Sequence, residues 1–320
     1  MSLAVLITYH DEGELLGECL RSLDRDDAVP DEVLVFDDAS EIPPPVTDTY
    51  RFPVTTVRSE RNLGLSAARN ALVERTKCEY IHFHDADDLF APGWPSRIRA
   101  ALEPPGAVDV VYCEVNTVGA DGVTVDRERV QRLAALREGG DLVEFAIRGG
   151  MLVPAAVYRR AAFVAAGGFD PQIRLGEDFE FNVRFALTGP RFAVLDEPLV
   201  LYRMRPGSLS SDLDALLLSF VDGVEALDGR VSEERYRRML SDKAAIMGTW
   251  LFQRGAVAAA GRAFRAARQL GGTDFRWRSP AYRLLARGLG PLAAETLDAA
   301  YRRRIPPWVQ DHVRRLWAWK

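Results

Sequence analysis

The chain has 320 residues, enough for one large domain and a smaller one, and its 48% hydrophobic and 27% charged residues are those of an ordinary globular protein. Three widely spaced cysteines, Cys19, Cys78 and Cys113, exclude a disulfide framework and fit a reducing compartment. No stretch approaches 18 uninterrupted apolar residues, and Met1 to Thr8 lacks a basic region, so the expectation is a first strand and neither a transmembrane helix nor a signal peptide. The net charge of −5 hides an asymmetry. From Trp250 to Lys320 there are 14 Lys and Arg against 4 Asp and Glu, which leaves −15 for the rest. Five of the six tryptophans lie in that basic segment.

Leu3 to Thr8 reads as a strand, and Glu14 to Leu23 as a helix, with Leu15, Leu16, Cys19, Leu20 and Leu23 at helical spacing. A second strand, Glu32 to Phe36, ends in Asp37-Asp38-Ala39-Ser40, and Pro43 to Pro45 break the chain. Val54 to Val57 is a third strand, Leu65 to Thr76 a helix, Tyr80 to His84 a fourth strand and Asp109 to Val115 a fifth. Gly119 to Gly140 is polar and reads as a variable insertion. A short helix over Asp141 to Arg148, a strand over Ala155 to Tyr158, a Gly167-Gly168 turn and a helix over Gly176 to Leu187 follow. Phe192 to Leu195 and Leu199 to Tyr202 read as short strands, and from Ser211 onward the pattern is helical. The expected architecture is α/β, a Rossmann-like, doubly wound, mostly parallel sheet followed by an α-helical C-terminal region. The boundary falls near residues 208–212, giving domains 1–210 and 211–320.

In such sheets ligands bind beyond the carboxyl ends of the strands. Thr8, Asp37, Asp38, Asp85 and Asp87 all fall there. Ile81-His82-Phe83-His84-Asp85-Ala86-Asp87-Asp88 runs an apolar strand into three carboxylates within four positions. Two readings stand: a hard divalent ion taking oxygen ligands, with waters and substrate phosphates in its other positions, or a solvated acidic turn.

Several of these segments resemble the family 2 glycosyltransferases, which have the GT-A fold. Ala4 to His10 is similar to that family's first strand and Glu32 to Ser40 to its second. Arg61-Asn62-Leu63-Gly64 with Ala68-Arg69-Asn70 is similar to its Asn-x-Gly…Ala-Arg-Asn segment. Tyr80 to Asp88 is similar to its strand ending in a DxD-type motif, and Gly167 to Asp170 with Glu177-Asp178 to its acceptor-side block. The likeness covers residues 3 to 210.

The resemblance implies transfer of a sugar, with inversion, from a nucleotide-diphosphate donor, UDP- or dTDP-sugar favoured, to a hydroxyl of a glycan, lipid-linked or other acceptor. The setting it implies is bacterial surface polysaccharide or glycoconjugate synthesis. It makes Asp87 a ligand of Mn²⁺ or Mg²⁺, with Asp85 toward the ribose or the metal, and Asp88 a structural residue. Asp38 would accept from the base, with Thr8 and Tyr9 as the other wall of its pocket, or with Tyr9 as simple packing. Asn62, Gly64 and Arg69 would line the donor site, Arg69 facing the nucleotide or Asp38. Asp178 would be the catalytic base, with Glu177 and Gly168 on the acceptor side. Many relatives carry a metal-reaching His in the segment Tyr202 to Ser210; here Arg203 and Arg205 stand in that region and could supply charge to the phosphates.

The residues themselves favour packing over metal ligation for His82 and His84. The Arg- and Trp-rich tail over 301–320 suits an anionic membrane surface or docking in cis or in a homodimer, with no nucleic-acid motif beside it. The expected location is the cytoplasm or the inner face of its membrane. Two other classes fit the same sheet. A nucleotidyltransferase would want a Gly-rich basic loop after the first strand, where His10 to Glu14 is acidic. An inactive scaffold would not need Asp38, Asp85, Asp87 and Asp178 together.

Overall fold

The computed structural model describes residues 1–304 except 27, 46–48, 123–124, 132, 174–175 and 206–211. The chain forms two compact units, Met1–Ser219 and Phe220–Lys320.

The first unit is built on a nine-stranded sheet. Its strands are β1 (Leu3–Tyr9), β2 (Glu32–Asp37), β3 (Val54–Arg58), β4 (Tyr80–Asp85), β5 (Leu89–Phe90), β6 (Val110–Val118), β7 (Val125–Gln131), β8 (Ala156–Arg159) and β9 (Phe192–Arg203). Its helices are α1 (Glu14–Leu23), α2 (Leu65–Arg75), α3 (Trp94–Ala101), α4 (Ala134–Arg137), α5 (Leu142–Arg148), α6 (Arg160–Ala165) and α7 (Glu177–Leu187). The strand order is β3-β2-β1-β4-β8-β6-β9-β5, with β7 on β6. The first four strands are parallel. β8 then enters antiparallel between β4 and β6, while β6 and β9 run parallel. The sheet is therefore mixed, with a wholly parallel half formed by β3, β2, β1 and β4.

Helix α1 forms because Leu16, Cys19, Leu20 and Leu23 fall on one face, and all four are buried. Central β1 is apolar over nearly its whole length because helices cover both of its faces. Strand alternation sorts β4 into two sets. His82 and His84 pack on Phe90, and His82 also on Trp94. Phe83 points the other way, into a cluster with Tyr158, Phe163 and Phe169 that continues to Phe181 and Phe185. Asp85 shares the parity of Phe83, so the strand delivers its carboxylate to the face covered by α2 and α7.

The expected short strands at 192–195 and 199–202 are one strand, β9, whose pairing to β6 shifts register between Cys113 and Val115. Pro198 falls in this irregular stretch, where its missing N–H is tolerated. β7 lies inside the segment read as a variable insertion.

The second unit contains most of α8 (Leu213–Leu227), then α9 (Glu234–Gln253), α10 (Val257–Gln269), α11 (Pro280–Leu289) and α12 (Pro291–Arg304). The unit boundary falls within α8. Ser279 caps α11 by accepting from the Tyr282 amide. Buried Glu295 on α12 accepts from Thr249 and Tyr282 and pairs with Arg278, which also holds Asp298. No helix among the described residues is long and apolar enough to cross a membrane.

Candidate active site

The parallel registers set Thr8 opposite Phe36 on one side and Asp85 on the other, with Tyr9 opposite Asp37. The carboxyl ends of β1, β2 and β4 therefore finish at one level. The chain leaving β2 turns sharply. Ala39 adopts φ 59, a left-handed conformation that costs a residue with Cβ about 1 kcal/mol. This turn follows Asp38, whose Oδ1 accepts from the Leu63 amide at 2.7 Å and Oδ2 from the Gly64 amide at 2.9 Å. Gly64 sits at φ 84 just before α2, a conformation that favours glycine. Asp38 thus fixes the loop that starts α2. Asn62, on the same loop, is exposed, with its amide 3.4 Å from His10 Nε2.

Arg69, one turn into α2, is 3% exposed. It donates from Nη2 to Asp85 Oδ1 at 2.8 Å and from Nη1 to Glu177 Oε1 at 2.7 Å. One guanidinium therefore ties the end of β4 to the start of α7. Burial would weaken its charge, but Asp85 and Glu177 hold it on. Burial pushes the Glu177 carboxyl up to about 7; Arg69 opposes the shift and Asp178 adds to it. Asp178 is raised in the same direction, again chiefly by burial, against the Phe179 amide that its Oδ1 accepts from. A carboxylate with raised proton affinity next to a fixed cation is suited to taking a proton.

The acidic run divides by environment. Asp87 pairs through Oδ2 with Arg205 Nε at 2.6 Å. Asp88 is 1% exposed, and its Oδ1 accepts from the Arg203 amide at 2.8 Å, locking the end of β9 to the turn. Its Oδ2 is buried with no hydrogen-bond partner, and burial, then Asp85 and Asp87, pushes this carboxyl well up. His82 and His84 are buried and bonded to one another at 3.1 Å, and burial pulls His82 down to about 4, so both act as neutral packing groups.

Four site expectations change. Arg203 is 2% exposed and fully engaged: Nε on the Asp87 carbonyl, Nη1 on the Ala120 carbonyl and Nη2 on Glu18. It braces the acidic turn and is not open to phosphates. Arg69 faces Asp85 and Glu177, not Asp38. Tyr9 belongs to the core, 1% exposed, its hydroxyl donating to the Ile42 carbonyl and accepting from the Gly13 amide. Gly168, at φ 64, is needed for a different approach. A Cβ there would stand 2.8 Å from Asn70 Oδ1, and Asn70 bonds both the amide and the carbonyl of Phe169. Two residues were not expected at the site. Glu18 anchors Arg203. Glu12, raised chiefly by burial, lies within the field of Asp87 and Arg205. The acidic loop directly after β1 was the available signal for Glu12.

A divalent cation would meet donors of the right chemistry. Asp85 and Asp87 offer carboxylate oxygens at one strand end, and the buried Asp88 Oδ2 beside them in sequence has no hydrogen-bond partner. Among the described residues, no three His, Cys, Asp or Glu side chains close into a cage. The set fits an ion held by one or two carboxylates and completed by substrate phosphates and water.

The same fold occurs in solved structures. Residues 1–349 of TarS from S. aureus, in complex with UDP-GlcNAc, superpose with a TM-score of 0.67 at 19% identity, covering 95% of this chain and 92% of that one. A mannosyltransferase, PcManGT from Pyrobaculum calidifontis, in complex with GDP-Man and Mn²⁺, gives 0.54 at 20% identity, covering 94% and 86%. These likenesses show the fold, a GT-A sheet followed by a helical C-terminal region. The glycosyl transferase family 2 model matches residues 4–165, just over half of the chain, and the chain belongs to that family. An uncharacterized glycosyltransferase of Haemophilus influenzae is 26% identical over 225 residues, 66% of this chain and 71% of that protein. The amylovoran biosynthesis glycosyltransferase AmsE of Erwinia amylovora is 29% identical over 218 residues, 64% and 76%. Family membership decides between the enzyme classes that the sequence left open, in favour of glycosyl transfer over nucleotidyl transfer.

Proposed function

We propose that the protein is a metal-dependent inverting glycosyltransferase that uses a UDP- or dTDP-sugar, with Asp178 as the base. The Arg69 bridge carries this reading. It ties Asp85 at the end of β4 to Glu177 in the first turn of α7, which supports a donor side and an acceptor side that meet there. Asp178 takes the proton of the acceptor hydroxyl as its oxygen attacks; Glu177, tied to Arg69, holds that turn in place. Asp85 and Asp87 would hold Mn²⁺ or Mg²⁺, which when bound supplies positive charge for the departing diphosphate. Thr8, Asn62, Gly64 and Asp38 line the nucleoside side, and Asp38 keeps a second lone pair on each oxygen for a base N–H. The UDP-GlcNAc complex of TarS and the GDP-Man–Mn²⁺ complex of PcManGT support the donor and metal parts.

The polysaccharide setting is supported by the amylovoran relative. A cytoplasmic enzyme on the inner face of the membrane, meeting a lipid-linked or glycan acceptor, fits the second unit. Helices α11 and α12 leave Leu284, Leu289, Leu297 and Tyr301 exposed. The acids of α12, Glu295 and Asp298, are turned onto Arg278. The basic, Trp-rich residues 305–320 lie outside the described residues.

A thermal-shift panel of UDP-, dTDP- and GDP-sugars with and without Mn²⁺ tests the reading. A metal-dependent shift with one uridine or thymidine donor, lost in Asp87→Ala, supports it. A shift that is equal without metal contradicts it.

A further inference from the structure

Three arginines balance the acidic end of the sheet, and they are held differently. Arg69 and Arg203 are buried, and each bonds to at least two other elements or loops. The Arg205 side chain is 32% exposed. Among the described residues its hydrogen bond is the one from Nε to Asp87 Oδ2. Asp87 is the carboxylate on which cation binding most depends. An oxygen whose lone pair points at a guanidinium N–H cannot point the same lone pair at a metal. Glu12 adds to the competition for positive charge, since Asp87 raises and Arg205 lowers its proton affinity beneath the larger effect of burial.

We propose that Arg205 competes with the divalent cation for Asp87, and that a nucleoside diphosphate draws it away, so that metal and nucleotide bind cooperatively. The inference rests on the metal site proposed above and assigns a positioning role to Arg205. The pair is partly exposed, and such pairs are weak enough to open on binding. The guanidinium fork matches two phosphate oxygens. A diphosphate that takes up Arg205 uncovers Asp87 Oδ2, and a metal that takes Asp87 releases Arg205 to the phosphates. Linkage makes the two effects equal: whatever factor UDP adds to metal affinity, the metal adds to UDP affinity.

The test is Mn²⁺ binding by the full chain, read from the electron paramagnetic resonance signal of free Mn²⁺, with and without UDP or GDP. Wild type, Arg205→Gln and Asp87→Asn are compared, so the readout is occupancy and not turnover. In the absence of nucleotide, Arg205→Gln should bind Mn²⁺ about fivefold or more tightly than wild type, the lower end of ordinary coupling. UDP should then tighten Mn²⁺ less in Arg205→Gln than in wild type, and Asp87→Asn should lose binding in both conditions. If wild type binds Mn²⁺ with UDP but Arg205→Gln binds Mn²⁺ alone no more tightly than wild type, the competition is refuted and the metal site stands. If wild type takes up no Mn²⁺ even with UDP or GDP, both fail.

Discussion

Replacing Arg69 with Met tests the joint between the end of β4 and the first turn of α7. Arg69 is 3% exposed and Glu177 4%, so the substitution strands a carboxylate with no access to water. Breaking a buried pair from one side costs about 3–5 kcal/mol. For a unit of this size that lowers Tm by roughly 10 °C. The loss depends on pH, and its sign follows from Glu177. Its folded value of about 7 lies above the unfolded one, so the group already favours the protonated folded form, and its contribution to stability falls as pH rises from the unfolded value through about 7. Without Arg69 that value moves further up. At pH 6 most of the carboxyl is protonated in either protein, and the variant loses little from this source; at pH 8 wild type keeps the paired charge and the variant cannot. Scanning fluorimetry at pH 6 and pH 8 should therefore show the larger Tm loss at pH 8. Arg69→Met with Glu177→Gln should recover at least half of that loss, because Asp85, its side chain 29% exposed, can turn to water. An Arg69→Met loss under about 1 kcal/mol, or one equal at both pH values, would refute the bridge as the element joining β4 and α7.

Two further outcomes follow from the aromatic cluster and from the loop that Asp38 holds. Phe181→Ala removes a fully buried ring packed at a tilt, with centroids 4.8 Å from Phe163 and 4.7 Å from Phe169, and should cost about 3–5 kcal/mol in urea unfolding. Asp38→Ala frees the Leu63 and Gly64 amides and should cost about 2 kcal/mol while raising the dissociation constant for UDP, measured by calorimetry.

Much of the parallel half was legible because its signals are local. The α1 period, the apolar β1 and β4, and the carboxylates at their ends need no distant partner, and α1 begins and ends where its pattern does. The antiparallel insertion of β8 between β4 and β6 was not legible, since four residues of strand carry no record of which edge they will fill. The site divided in the same way. The places of Asp85 at the end of β4 and of Asp178 in the first turn of α7 could be read from the pattern of strand and helix. The fate of each arginine could not, because it depends on which carboxylate the fold brings near. Arg203 follows directly on the apolar run of β9, and that continuity was the one available sign that it is drawn inward onto Glu18 and the acidic turn, while Arg205, two residues on, stays near the surface.

The central claim is that Asp178 removes the acceptor proton in a transfer from a nucleotide sugar. With the donor and acceptor that wild type uses, Asp178→Asn should bind the donor with unchanged affinity and lose at least a hundredfold in transfer rate, about the contribution of a positioned general base. Transfer by Asp178→Asn at the wild-type rate would contradict the account.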